Sequence, residues 1–192
     1  MDRVEEKRLV QAAQKGNADA FAALYRDNVQ KIFRYVFYRV QDMQLAEDLT
    51  GDVFARALAG MARYDDRGRP FIAWLYRISH ARVVDHYRKT GRRLPEENLD
   101  DLVMPVHQDM DANLVRQEAV RRLREAIATL TPDQQLVVVL RFIERQPIGE
   151  AARIMGKNPN AVKALQHRAL RSLESYLRRS GFKIEDILAG LS

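Results

Sequence analysis

The stretch Ile148-Gly149-Glu150-Ala151-Ala152-Arg153-Ile154-Met155-Gly156-Lys157-Asn158-Pro159-Asn160-Ala161-Val162-Lys163 decides the fold of this chain. Ile148 to Met155 has the spacing of a short helix. Gly156 supplies the turn, because glycine adopts the left-handed backbone that ends a helix. Asn158 can cap the next helix, and Pro159 suits its first turn. That second helix runs to about Arg179 and is basic. A short helix, a glycine turn and a longer basic helix make the pattern of a helix-turn-helix. The N-terminal part of its second helix enters the major groove. Asn160, Lys163, Ala164, His167 and Arg171 are its candidate DNA contacts. Asn can pair with adenine, and Lys reaches guanine or phosphate. On spacing alone, a plain helical hairpin with a solvated basic face is the alternative.

Upstream, Thr131-Pro132-Asp133-Gln134 is a helix start with a capping box. The apolar run Leu136 to Leu140 is therefore a buried helix and not a strand. Leu123, Ile127 and Leu130 form the stripe of the helix before it. In the first half, a helix from about Val4 to Lys15 stops at Gly16. Asn17 caps a long one reaching about Val40. Asp42 caps a third, with Leu45, Leu49, Val53, Phe54, Leu58 and Met61 facing inward. Pro70 opens a fourth, which buries Phe71, Trp74, Leu75, Ile78 and Val84 and ends near Gly91. The fold class is all-α: two small helical domains joined by a flexible acidic linker, the second containing the helix-turn-helix.

Charge divides the chain in the same places. The net charge of +6 is weak testimony by itself. Residues 1–94 hold 18 basic and 12 acidic side chains, and 95–113 hold six acidic and none basic. Residues 114–192 hold 14 basic and eight acidic. The expected domains are 1–93, a linker at 94–113, a second domain at 114–180 and a short tail at 181–192. The apolar run Leu102-Val103-Met104 is the one part of the linker suited to docking.

The chain has no cysteine, which excludes disulfides and thiolate metal sites. Its charged start leads into no apolar run of signal-peptide length, and no window approaches a membrane span, so a soluble cytoplasmic protein is expected. His80, His86, His107 and His167 are scattered, and none pairs with a carboxylate at zinc-ligand spacing. There is no glycine-rich phosphate loop. No enzymatic activity, cofactor or metal is expected.

Two faces in the first half ask for partners. The fourth helix interleaves Phe71, Trp74, Tyr76 and Tyr87 with Arg77, His80, Arg82, His86, Arg88 and Lys89, and Arg92 and Arg93 follow. Rings and cations in alternation suit melted DNA, although Trp74 is the better candidate for the core. The third helix carries Asp42, Glu47, Asp48 and Asp52 on one side. Such a face would repel DNA and is either solvated or set against a basic protein.

Four segments resemble the extracytoplasmic-function sigma factors of bacterial RNA polymerase. Gly16 to Tyr25 is similar to the opening helix pair, and Ala46 to Leu58 to the polymerase-binding helix. Trp74 to Ser79, with Asp85 and Arg88, is similar to the promoter-melting helix. Leu130-Thr131-Pro132, Glu150-Ala151-Ala152, Ala161-Val162-Lys163 and His167 to Leu170 are similar to the C-terminal domain. The resemblance implies that 1–93 is sigma region 2 and 114–180 is sigma region 4. Glu47, Asp48, Asp52, Phe54 and Arg56 would then bind the clamp helices of the largest polymerase subunit. Phe71, Trp74, Arg77, His80, Arg82, Arg88, Lys89, Arg92 and Arg93 would melt and read the minus-ten element. The helix-turn-helix would read the minus-thirty-five element, and its domain would touch the flap of the second-largest subunit. The linker would thread the RNA exit region, and an anti-sigma factor is an expected partner. Three departures stand out: Ala81 occurs where many relatives carry Asn; Ala164-Leu165-Gln166 replaces the common Ser-Arg-Leu, so that Gln166, with Arg168 after it, would supply the contact of the missing arginine to the minus-thirty-five element; and Pro147-Ile148-Gly149 departs from the usual lead-in to the helix-turn-helix. The rival reading is a helix-turn-helix regulator acting without polymerase.

Overall fold

The computed structural model describes residues 1–90 and 121–181. Its elements are α1 (Arg3–Gln14), α2 (Ala18–Val40), α3 (Met43–Gly60), a 3-10 turn (Met61–Arg63), α4 (Phe71–Thr90), α5 over 121–128, α6 (Pro132–Val138), α7 (Ile148–Met155) and α8 (Pro159–Arg179). No strand occurs among the described residues. The expected linker, Leu102-Val103-Met104, Arg92, Arg93, His107 and nearly all of the expected tail lie outside them.

Local chemistry sets the ends of the first three helices. Asp2 accepts from the amides of Val4 and Glu5, both at 2.9 Å. Asn17 accepts from Ala20 at 2.9 Å, and Asp42 from Leu45 at 2.9 Å. Each cap satisfies an amide that the helix itself leaves unpaired. Pro70 differs from expectation by one position. It lies before α4, and its carbonyl accepts from Ala73 at 2.9 Å.

Helices α1 to α4 pack around Leu24, Ile32, Tyr35, Val36, Val53, Phe71, Leu75 and Val83, all at most 2% exposed. Two expectations of burial are corrected here. Leu58 is 57% exposed, because Ala57 and Met61 fill the inward positions of that turn. In α4 the periodicity runs through Leu75, Ser79 and Val83, so Val83 and not Val84 enters the core.

In the second half, Thr131 and Gln134 form the expected reciprocal cap: Thr131 N donates to Gln134 Oε1 at 3.1 Å, and Gln134 N to Thr131 Oγ1 at 3.5 Å. The buried Gln135 amide donates to the Ile127 and Ala128 carbonyls, tying α6 to α5. Leu136 to Leu140 is helical throughout, but the chain widens into a π turn over Val139–Ile143. Arg145 follows in left-handed conformation at φ 52°. Leu130, Val137, Val139, Leu140, Ala151, Val162 and Ala169 build the core of this half.

The halves also touch. Arg34 of α2 grips Glu144 beyond α6 with both ends of its guanidinium, at 2.7 and 3.0 Å. Gln41 donates to the Arg124 carbonyl at 3.1 Å, and the Arg124 guanidinium lies 5.0 Å from the centre of the Phe37 ring.

Candidate nucleic-acid and polymerase interfaces

Helix α8 is built to present one face. Asn158 caps it by accepting from Ala161 at 2.8 Å. Val162, Leu165, Ala169, Leu173 and Leu177 form a buried seam at spacings of three and four. The opposite face leaves Asn160, Lys163, Ala164, His167, Arg168 and Arg171 exposed. Gly156 makes the turn at φ 63°, where a side chain would strain the backbone. Leu165 belongs to the core, so the departure from the relatives' pattern there does not expose it to a ligand. Gln166 is a correction. Its amide oxygen accepts from Arg141 Nε at 3.1 Å, and Arg141 also bonds the Gln146 carbonyl. The side chain braces the entry to α7 and does not stand on the open face.

Helix α4 and the loop before it form a second surface. Trp74 is half-buried, with its ring 4.6 Å from Tyr64 and 5.7 Å from Phe71. Gly60 makes room for it, since a Cβ there would lie 3.2 Å from the Trp74 ring. A cavity of 300 Å³ opens beside it, lined by Gly60, Arg63, Tyr64, Asp65, Arg67, Trp74 and Arg77. An aromatic wall with a cationic rim suits an unstacked base and its phosphate. Arg77, Arg88 and Lys89 are exposed. Phe71 is 1% exposed and therefore acts from inside, holding Tyr64 and Trp74. Burial, followed by the negative charges of Glu6 and Asp66, pushes the Tyr64 phenol well above its ordinary range.

Arg82 is drawn away from this surface. It is bonded to Asp52 of α3 and to Asp85 at 2.9 Å. His80 is half-buried, with Nδ1 3.2 Å from Nη1 of the buried Arg39. Burial first, then the Arg39 charge, lowers the His80 pKa against an opposing pull from Asp133. His80 is thus neutral at physiological pH. Arg63 and Arg67 at the rim of this cavity carry no signal in the sequence: Arg63 ends the 3-10 turn and Arg67 lies in the loop, both off the face of α4, and an arginine beside Asp65 and Asp66 gives no periodicity.

Helix α3 offers the third surface. Glu47, Asp48 and Arg56 are exposed, Asp52 is partly so, and Met43 and Leu58 are 59% and 57% exposed. Acids flanking large apolar side chains are poor company for water alone and suit a protein partner. Phe54 is corrected: it is 4% exposed, its ring against Tyr25 at 4.7 Å. Asp52 spans Arg56 at 3.1 Å and Arg82, so much of its charge is spent inside the molecule.

These surfaces define a class: two-domain helical transcription proteins of the sigma-70 type. The family described as Sigma-70 region 2 matches residues 24–93, and Sigma-70, region 4 matches residues 120–173. The ECF RNA polymerase sigma factor BldN of Streptomyces coelicolor is 38% identical over 179 residues, covering 92% of this chain and 67% of its own. The RNA polymerase sigma factor YlaC of Bacillus subtilis is 30% identical, over 84% of this chain and 94% of its own. Among solved structures, CnrH in complex with the cytosolic domain of CnrY is 25% identical with a TM-score of 0.62, covering 91% of this chain and 98% of that one. The chain belongs to the ECF RNA polymerase sigma factors. It is an RNA polymerase sigma factor, a regulatory protein that binds core polymerase and promoter DNA to start transcription. Among the described residues no helix is long and apolar enough to cross a membrane, and no cluster of His, Asp and Glu could hold a metal ion.

Proposed function

We propose a division of this activity among the three surfaces. The exposed face of α8 reads the minus-thirty-five element, with Asn160 and Lys163 toward base edges and Arg168 and Arg171 toward phosphates. Trp74, Arg77, Arg88 and Lys89, joined by Arg63 and Arg67 at the cavity rim, engage the melted minus-ten element. The outward face of α3, led by Glu47 and Asp48 with Met43 and Leu58, binds the clamp helices of the largest polymerase subunit. The domain carrying α8 contacts the flap of the second-largest subunit. The protein acts in the cytoplasm, where polymerase is. An anti-sigma factor restrains it, as the anti-sigma factor NepR is bound to the sigma factor RpoE of Bartonella quintana in a solved structure of similar fold.

The observation that carries the reading is the division of α8 into a continuous apolar seam and an unshielded polar face containing three cations. A solvated hairpin needs no such concentration next to a helix-turn-helix turn. Photo-crosslinking tests it. A reactive group at position 163 should label promoter DNA near minus thirty-five, and one at position 48 should label the largest subunit, both in the holoenzyme. Labelling of the same partner from both positions would refute the division.

A further inference from the structure

We propose that α1 braces the surface that engages the melted minus-ten element, with Glu6 and Gln14 as positioning residues that hold Phe71 and Tyr64 in place around Trp74. The inference rests on the assignment of that surface to α4 and the loop before it.

The loop between the 3-10 turn and α4 is anchored at both ends to the same helix. At its start, Gln14 Nε2 donates to the Tyr64 carbonyl at 2.7 Å, from 50 residues earlier in the chain. At its end, the Phe71 amide donates to Glu6 Oε1 at 3.2 Å, 65 residues away. Each bond supplies what the local chain lacks. Tyr64 leaves the 3-10 turn with extended backbone at ψ 130°, which turns its carbonyl out of the helical ladder. Pro70, immediately before α4, has no side-chain acceptor for the first amides of that helix. The Glu6 carboxylate stands in for the missing cap, and a carboxylate suits a helix N-terminus.

Between its anchors the loop is tied mainly to itself. Asp65 accepts from the Arg67 amide at 3.2 Å and Asp66 from the Gly68 amide at 2.9 Å, and the Arg69 amide donates to the Asp66 carbonyl at 2.7 Å. A space of 240 Å³ separates Glu6, Val10 and Gln14 of α1 from Tyr64, Asp65 and Asp66. The loop therefore does not rest on α1 between the anchors, and the two hydrogen bonds set its distance. The Tyr64 ring lies 5.5 Å from Phe71 and 4.6 Å from Trp74, so a shift of either anchored backbone passes to the aromatic wall of the cavity. The helix puts only Ala13 fully into the core. The match to Sigma-70 region 2 begins at residue 24, after α1, so the brace belongs to a part of the chain outside the matched region.

Three substitutions in the full-length chain test the brace. Gln14→Glu keeps the shape and loses the donor, Glu6→Leu keeps the bulk and loses the acceptor, and Glu6→Gln keeps an acceptor. The probe is a single-stranded oligonucleotide carrying the minus-ten element of a promoter that the holoenzyme transcribes. In the holoenzyme, Gln14→Glu and Glu6→Leu should each weaken its binding roughly five- to tenfold, about the worth of one hydrogen bond, and Glu6→Gln should stay within about twofold of wild type. Core affinity should be unchanged in all three. Trp74 is the single tryptophan of the chain and gives a second readout. In the free protein without denaturant, acrylamide should quench its emission more in Gln14→Glu and Glu6→Leu than in wild type or Glu6→Gln. Unchanged oligonucleotide binding in both disabled variants, or unchanged quenching, would overturn the brace. So would an equal loss of core binding, the mark of a helix that serves the fold as a whole. Arg77 is exposed on the same surface, and Arg77→Ala tests the surface assignment separately. Oligonucleotide binding unaffected by that change would count against the assignment, whereas the quenching result does not depend on it.

Discussion

Reversing the charge of Asp48 and of Asp52 separates polymerase binding from folding. Asp48 is exposed on α3. Asp48→Lys should change the folding free energy by no more than about 0.5 kcal/mol, the usual range for an exposed position. Asp52 is different, because it joins α3 to α4 through Arg82, whose side chain is 15% exposed. Asp52→Lys sets a third cation beside Arg56 and Arg82. Stranding a buried charge costs about 3–5 kcal/mol, but the Asp52 side chain is 35% exposed, and water and Asp85 shield the remainder. About 2 kcal/mol is the expected loss. Against polymerase the order changes. A charge pair about 4 Å apart at a partly wet surface is worth at most about 4 kcal/mol before salt screening. Asp48→Lys should therefore weaken core binding roughly 10- to 100-fold, equivalent to about 1.4–2.7 kcal/mol. Urea unfolding and titration of labelled protein with core polymerase measure the two effects. A core affinity unchanged in Asp48→Lys, or a stability loss as large as that of Asp52→Lys, would refute the reasoning.

Three other perturbations test separate parts of the account. Asn160→Ala or Lys163→Ala should alter the preferred minus-thirty-five sequence at a cost of roughly 1–3 kcal/mol, whereas Arg171→Ala should weaken all promoters alike and reduce the salt slope by about one; promoter selection with each holoenzyme, at two salt concentrations for Arg171→Ala, distinguishes them. Leu140→Ala, at a site 1% exposed, should destabilise by about 2–5 kcal/mol, and Thr131→Ala by about 1 kcal/mol through loss of the cap, both measurable by urea unfolding. His80, with its pKa held below the ordinary value of about 6.5, contributes stability that is fully present above that value. As pH falls below it, the unfolded chain takes up the proton first and the contribution is lost; His80→Gln should therefore flatten the fall in melting temperature between about pH 7 and pH 5, and an unaltered slope would count against it.

The helices and their ends were legible in the sequence because they depend on neighbours. Asn17, Asp42, Thr131, Asn158 and Gly156 each act on residues three or four positions away, and each cap or turn stands where the residue types place it. The open face of α8 was legible for the same reason: one seam of apolar residues determines which side is exposed. Side-chain destinations set by distant partners were not legible. Nothing near Gln166 signals that Arg141 will take its oxygen, and nothing near Arg82 signals Asp52, thirty residues earlier. Phe54 and Phe71 carry rings suited either to a partner or to a core, and only the packing of Tyr25 and Tyr64 decides. The π turn escaped for another reason. Val139 to Ile143 keeps an apolar helical pattern, and the widening is visible only in its hydrogen bonds, with Glu144 N donating to the Val139 carbonyl at 2.8 Å.

The central claim is that this chain confers promoter choice on core polymerase. In vitro transcription tests it most directly, with core enzyme and purified protein, separately and together, over fragments spanning a bacterial genome. The account predicts discrete transcripts only when both are present, sharing minus-ten and minus-thirty-five elements at fixed spacing. Tight binding of the protein alone to duplex promoter, with no new transcripts when core enzyme is added, would contradict it.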